Sequence, residues 1–204
     1  GNLHDFDPSE DAIPINELPL LDRWMLHRTA ETIDKITIAF ENYEFYRFFQ
    51  LLQSFCVVDL SNFYLDIAKD RLYVSSSSDR RRRSCQTVLS LIIERLAGLI
   101  SPVLCHMAED IWQNIPYSIF EDSVFRRGWP DVPESWRDSS LNEPVNYLRE
   151  LRGAVNRVLE ECRSQQQIGA SLEAALRIDV LNSELLKACD WLNDHGNPEV
   201  DGLR

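Results

Sequence analysis

The chain has 204 residues, 44% of them hydrophobic and 26% charged, which suits one domain, or a domain with part of another, around a real core. Its net charge of −12 argues against a uniformly basic nucleic-acid binder, and no run approaches the roughly 18 apolar residues of a membrane span. Gly1 to Asp7 lack the basic start and apolar run of a secretory signal, and the five cysteines (Cys56, Cys85, Cys105, Cys162, Cys189) form no Cys-x-x-Cys pair, so an intracellular chain with reduced, structural thiols is expected.

Residues 1–17 are acidic and interrupted by Pro8 and Pro14, and read as an extended lead-in. Pro19 suits the first turn of a helix, and Leu21, Met25, Ile33, Ile36 and Phe40 then recur at helical spacing, predicting a helix at about 18–41. After a break at Asn42 and Tyr43, Phe45, Phe48, Phe49, Leu52, Cys56, Leu60, Phe63 and Ile67 form one apolar stripe, which predicts a single helix over about 44–73. The serines of Val74 to Asp79 make a linker, and Asp79 offers a cap for a third helix to about Ile100, with Cys85, Val88, Leu89, Ile92, Leu96 and Leu99 facing inward. Ser101 and Pro102 predict the start of a fourth, which runs to Ile115 and buries Cys105, Ala108, Ile111 and Trp112.

Residues 117–143 scatter Tyr117, Phe120, Phe125, Trp129 and Trp136 among prolines and charges, as a wrapping loop would. Leu148, Leu151, Val155, Val158 and Cys162 mark a fifth helix at about 141–166. Leu176, Ile178 and Val180 alternate with Arg177 and Asp179, the period of a strand, before a short helix at about 183–193. The expected fold class is mainly α: an up-down antiparallel four-helix bundle over 18–116, the loop at 117–143, and over 144–204 a further helix followed by the start of a truncated α/β appendage whose partner strands are absent.

Charge is unevenly spread. Residues 1–22 hold six acids and no lysine or arginine, whereas residues 69–95 hold seven bases against three acids, a local balance of +4. Arg80, Arg81, Arg82 and Arg83 would ring the start of the third helix, where the helix dipole disfavours cations, so an anionic partner would offset the cost; solvated or salt-bridged arginines are the plainer alternative. Lys69 and Arg71 close the second helix, where cations are favourable on dipole grounds alone. Tyr73 would either stack on a base or close the bundle end, and Trp129 beside Arg126 and Arg127 either stacks or anchors the loop. These ten residues are the candidate RNA contacts.

His106 and Glu109 are spaced like metal ligands but lack a matching set on the other helices, so no metal site is expected. A nucleophile triad, glycine-rich phosphate loop and zinc-protease motif are all missing, so no catalytic residue is assigned.

Five blocks in order resemble isoleucyl-tRNA synthetases of bacterial type: Leu18–Leu26, Phe55–Tyr73 with its Asp-Leu-Ser-Asn-Phe-Tyr-Leu-Asp wording, Arg82–Leu89, Ser101–Trp112 and Ile168–Ala175. The resemblance implies the helical domain that binds the anticodon stem and loop of the isoleucine tRNA. The isoleucylation itself, with ATP, magnesium and zinc, would fall to catalytic, editing and zinc-bearing regions of the same polypeptide, because the His-Ile-Gly-His-like, Lys-Met-Ser-Lys-Ser-like and Cys-x-x-Cys signatures are missing here. No cofactor is expected in these residues themselves, and the parent is expected to be a cytoplasmic monomer without membrane contact. A helical protein–protein scaffold without RNA contact is the alternative.

Overall fold

The structure, a computed structural model, describes residues 2–170 and 173–195; Ser171, Leu172 and the tail from 196 onward, which the predicted appendage included, lie outside the described residues. The described residues form helices and turns and no β-strand. They fall into two compact units, one ending at Asp138 and the other beginning at Ser139.

In the first unit, α1 spans Leu20–Glu41 and reverses through Asn42 and Tyr43. Tyr43 takes a left-handed conformation (φ 58°), unusual for a side chain of this size, while the Asn42 amide bonds back to the Ile38 carbonyl at 2.9 Å. The chain then runs antiparallel as one helical rod, α2, made of Phe45–Ser54, Phe55–Leu65 and Asp66–Tyr73. Its middle section is a wide-turned π-helix. Phe55, Asp59, Phe63 and Tyr64 are buried within it, and the wider turn lets both Phe63 and Tyr64, four and five residues on from Asp59, face inward.

Asp79 caps α3 (Arg80–Ile100) by accepting from the Arg81 N–H at 2.8 Å, as the sequence predicts. The fourth helix starts later than its Ser-Pro pair suggests. Ser101 bonds its hydroxyl to the Gly98 carbonyl, residues 101–104 form a turn, and α4 covers Cys105–Gln113. Ala108 and Trp112 are buried as expected, but Cys105 lies exposed because its position now opens the helix. Phe45 and Phe49 are likewise exposed, since the apolar stripe of α2 is wider than the side its neighbours cover.

Two clusters fill the bundle. Ile33, Ile36, Phe48, Ala97, Leu99, Ile100, Ala108, Trp112 and Val124 pack at the end where α1 finishes. Toward the other end Trp24 meets Phe63 edge-on at 5.3 Å between ring centres. Each fully buried side chain of the Leu21 or Met25 kind contributes roughly 1.5–3 kcal/mol. The stretch after α4 crosses the bundle: Trp136 is buried under the Arg95 guanidinium, 4.9 Å from its ring centre.

In the second unit, α5 (Asn142–Ser164) and α6 (Ser183–His195) pair, with the Tyr147 hydroxyl donating to Glu184 at 3.1 Å. Between them the predicted strand does not form. Leu176 and Ile178 are about half exposed, and residues 174–180 carry no regular structure. The alternating pattern lacks a neighbouring ladder to bond, so an isolated strand has nothing to hold it, and the α/β appendage is corrected to a connector between two helices. None of the described helices is long and apolar enough to cross a membrane.

Candidate nucleic-acid interface

The candidate residues separate to opposite ends of the bundle. Lys69, Tyr73 and the four arginines gather where α2 hands over to α3. Arg126, Arg127 and Trp129 lie where α3 ends, with Gly128 and Pro130 beside Gly98. Between Arg80 and Gly98 the helix rises about 27 Å at 1.5 Å per residue, so no single small ligand touches both groups.

At the arginine end, the acidic lead-in folds back onto α3, a pairing across more than sixty residues of sequence. Gln86 donates to the Asn2 and His4 carbonyls, and the Ile13 N–H donates to Thr87. Phe6 is buried, with the Arg83 guanidinium 5.9 Å from its ring centre. Arg83 also donates to the Asp5 carbonyl and to Gln86 and pairs with Asp11 at 3.2 Å. With its side chain only 14% exposed, it is a clamp holding the lead-in.

Arg82 turns back to the Leu72 carbonyl and closes the linker. Arg81 pairs with its own cap, Asp79, at 3.1 Å, and that hydrogen bond holds the Asp79 carboxyl below its ordinary value. Arg80 reaches Glu17 at 2.5 Å with 63% of its side chain exposed. Lys69 pairs with Asp66 one turn back at 3.1 Å, and Tyr73 is 72% exposed. The surface left open here comprises Lys69, Tyr73, Arg80 and Arg81, about a linker of serines.

Arg71 does not belong to that surface. It donates to both Asp22 oxygens at 3.0 Å, and its side chain is 6% exposed. Burial, the largest single influence, depresses its pKa, but the Asp22 charge and hydrogen bond together with neighbouring Tyr64 and Cys85 outweigh it, and the guanidinium titrates higher than usual. Tyr64, fully buried, completes the group by donating to Asp22 at 2.7 Å. The sequence offers Arg71 either a dipole-stabilising place at the helix end or an RNA contact; its partner instead sits in the first turn of α1, and the cation is internal.

A second polar contact locks the π section: Arg28 donates to the buried Asp59 at 2.8 Å and to Glu31 at 2.9 Å. Burial opposes the Arg28 charge, while these two carboxylates raise its pKa overall.

At the opposite end, Glu109 accepts from the Ser123 hydroxyl and the Val124 N–H at 3.0 Å, which fixes the one-turn helix Val124–Arg127. Arg126 pairs with Asp122 at 3.2 Å and Arg127 with Asp131 at 3.6 Å. The Trp129 indole donates to Thr37 at 2.9 Å, and its ring meets Phe40 edge-on at 5.2 Å, the anchoring arrangement. Phe40, Phe45 and Tyr43 extend the same aromatic group, with Tyr43, Phe45, Tyr46 and Phe49 largely exposed. Sequence reasoning passed over this group. The available signal was density: Phe40, Tyr43, Phe45, Tyr46, Phe48 and Phe49 stand within ten residues.

The family model for the anticodon-binding domain of tRNA ligases matches residues 22–179. Over all 204 residues the chain is 74% identical to an isoleucine–tRNA ligase of Prochlorococcus marinus (strain MIT 9313). It is 70% identical to that of Parasynechococcus marenigrum (strain WH8102) and 69% to that of Synechococcus sp. (strain CC9311). In each case all of this chain is covered and 21% of the relative, so the chain spans about a fifth of the length of the curated relatives it matches.

Proposed function

The chain belongs to the family of anticodon-binding domains of tRNA ligases, and from this we propose that it grips the anticodon stem and loop of an isoleucine tRNA. The observation that carries this reading is the end of the bundle where α2 passes to α3: Lys69 and the ring of Tyr73 before the linker, and Arg80 and Arg81 after it, all stand exposed, cations for phosphates and a platform for an unpaired base. In this reading the domain works in the cytoplasm within a single-copy isoleucine–tRNA ligase. The rest of the polypeptide carries out ATP-dependent isoleucylation while these helices hold the RNA.

Magnesium and zinc in that enzyme belong to its other regions. Among the described residues, no three His, Cys, Asp or Glu side chains are grouped to hold an ion. Contact with those other regions is supported by an apolar groove of about 480 Å³ bounded by the lead-in, α2, α3 and the end of α4, lined by Leu3, His4, Leu60, Leu89, Ile92 and Ile111. Such a surface suits protein, since its lining is mostly apolar and holds no lysine or arginine for a phosphate.

The test is a titration with isoleucine tRNA and with an unrelated tRNA at two salt concentrations. Preference for the isoleucine tRNA and weakening with salt are expected. Tyr73→Ala should weaken binding by about 1–3 kcal/mol, the usual worth of stacking one base, with the melting temperature unchanged because the ring is exposed. Equal affinity for both RNAs overturns the reading.

A further inference from the structure

We propose that Glu17 is a built-in competitor for the RNA backbone, occupying on Arg80 the place that an RNA phosphate takes when the nucleic acid binds. The inference rests on the reading of this end of the bundle as an RNA-binding surface, and it identifies how the acidic lead-in tunes that surface.

The four arginines differ in what holds them, and magnitude decides which are available. Arg83 is held by a carboxylate, a carbonyl, an amide oxygen and an aromatic face, largely out of water. Arg82 donates to the Leu72 carbonyl at the end of α2. Arg81 is tied to Asp79 two residues away, so its pair travels with the helix cap. The Arg80–Glu17 pair alone among these joins two side chains that both stand about half exposed or more, 63% and 48%, across 63 residues of sequence. Exposed pairs of this kind shift an equilibrium by only about two- to five-fold, little enough for a phosphodiester with its own counterion release to replace the carboxylate.

The lead-in is placed to do this without leaving. Its hold on α3 comes from Arg83, Gln86, Thr87 and the buried Phe6, none of which involves Glu17. Glu17 sits in a short turn, Ile15–Glu17, just before Pro19, the residue that precedes α1, so its position is set by backbone and not by its ion pair. Exchange therefore needs only a side-chain rotation of Glu17. The guanidinium then meets the phosphate, while the Arg81 N–H stays with its cap, Asp79.

The experiment compares the wild-type chain, Glu17→Gln, Arg80→Gln and the double variant in binding a transfer RNA and an unstructured RNA, across a salt series. Glu17→Gln is expected to tighten binding about two- to five-fold at low salt. The slope of log affinity against log salt should stay close to that of the wild type, because the same phosphate contact is made once Glu17 has turned away. Arg80→Gln should flatten that slope by about 0.7–0.9, the loss of one phosphate contact, and should abolish the Glu17→Gln gain in the double variant. Glu41→Gln, at the far end of α1, controls for net charge and should give no comparable gain.

A gain that persists without Arg80, an equal gain from Glu41→Gln, or an unaltered slope in Arg80→Gln overturns the proposal. The Arg80-dependent gain is read on any RNA, whereas the anticodon reading depends on preference for the isoleucine tRNA. That gain without the preference sinks the reading alone, the preference without the gain sinks the exchange alone, and no RNA binding by any variant sinks both.

Discussion

Arg71 lays its guanidinium across both oxygens of Asp22, 3.0 Å from each, with the two side chains buried and 49 residues apart in sequence. The contact welds the end of α2 to the start of α1, and the Tyr64 hydroxyl shares the same carboxylate. A buried pair of this kind adds little over a well-packed apolar replacement, but removing one partner leaves an uncompensated charge.

Arg71→Ala should therefore lower unfolding free energy by about 3–5 kcal/mol, measured by urea denaturation. If instead Arg71 served RNA from the surface, the variant would keep its stability and lose salt-dependent RNA affinity. Replacing Asp22 and Arg71 together by leucine should recover most of the lost stability.

Beside this pair lies Cys85, whose thiol is pushed up to about 12, first by burial and then by the Asp22 charge. The unfolded thiol ionises near its ordinary value of 9.0. Below that value both states are protonated and the group's contribution is intact. As pH rises from about 9 toward 12 the unfolded chain loses its proton and the folded one keeps it, so stability falls. Chemical denaturation between pH 8 and 11 should show a decline that Cys85→Ala flattens. At pH 8, thiol labelling should modify exposed Cys105 at once and Cys85 only upon unfolding.

Gly128 ends the turn that carries Arg126 and Arg127, at φ 76° and ψ −174°, a region nearly closed to other residues. A methyl group there would meet no atom within 4 Å, so the cost is conformational and not steric. Gly128→Ala should destabilise the chain by about 1–3 kcal/mol, read by thermal or urea denaturation. Gly153→Ala is the contrast: that glycine lies inside α5 with open space around it, and the change should be neutral or stabilising. Equal effects at both sites would show that the backbone at Gly128 is not strained.

Much of the fold was readable from local pattern. Periodic Leu, Ile and Phe marked α1 and the long rod of α2, and Asp79 after a run of serines marked the start of α3, because caps and apolar stripes act within a turn or two. The widened turns of α2 were not readable, since they answer to which neighbours cover Asp59 and Tyr64. The strand expected at Leu176 to Val180 failed for a related reason: alternation states a preference, and a strand needs a partner that the described residues do not supply.

The candidate surface divides along the same line. Composition and order alone established a helical chain with an acidic beginning and a basic stretch, and the wording of five blocks pointed to its family. Which cations face solvent was decided only in three dimensions. Arg71 was drawn inside by Asp22, Arg83 became a clamp for Phe6 and Asp11, and Arg80 stayed at the surface opposite Glu17. Charge is a property of each residue, but its availability depends on the nearest opposite charge and the water left around it, and both are set by contacts between segments dozens of residues apart.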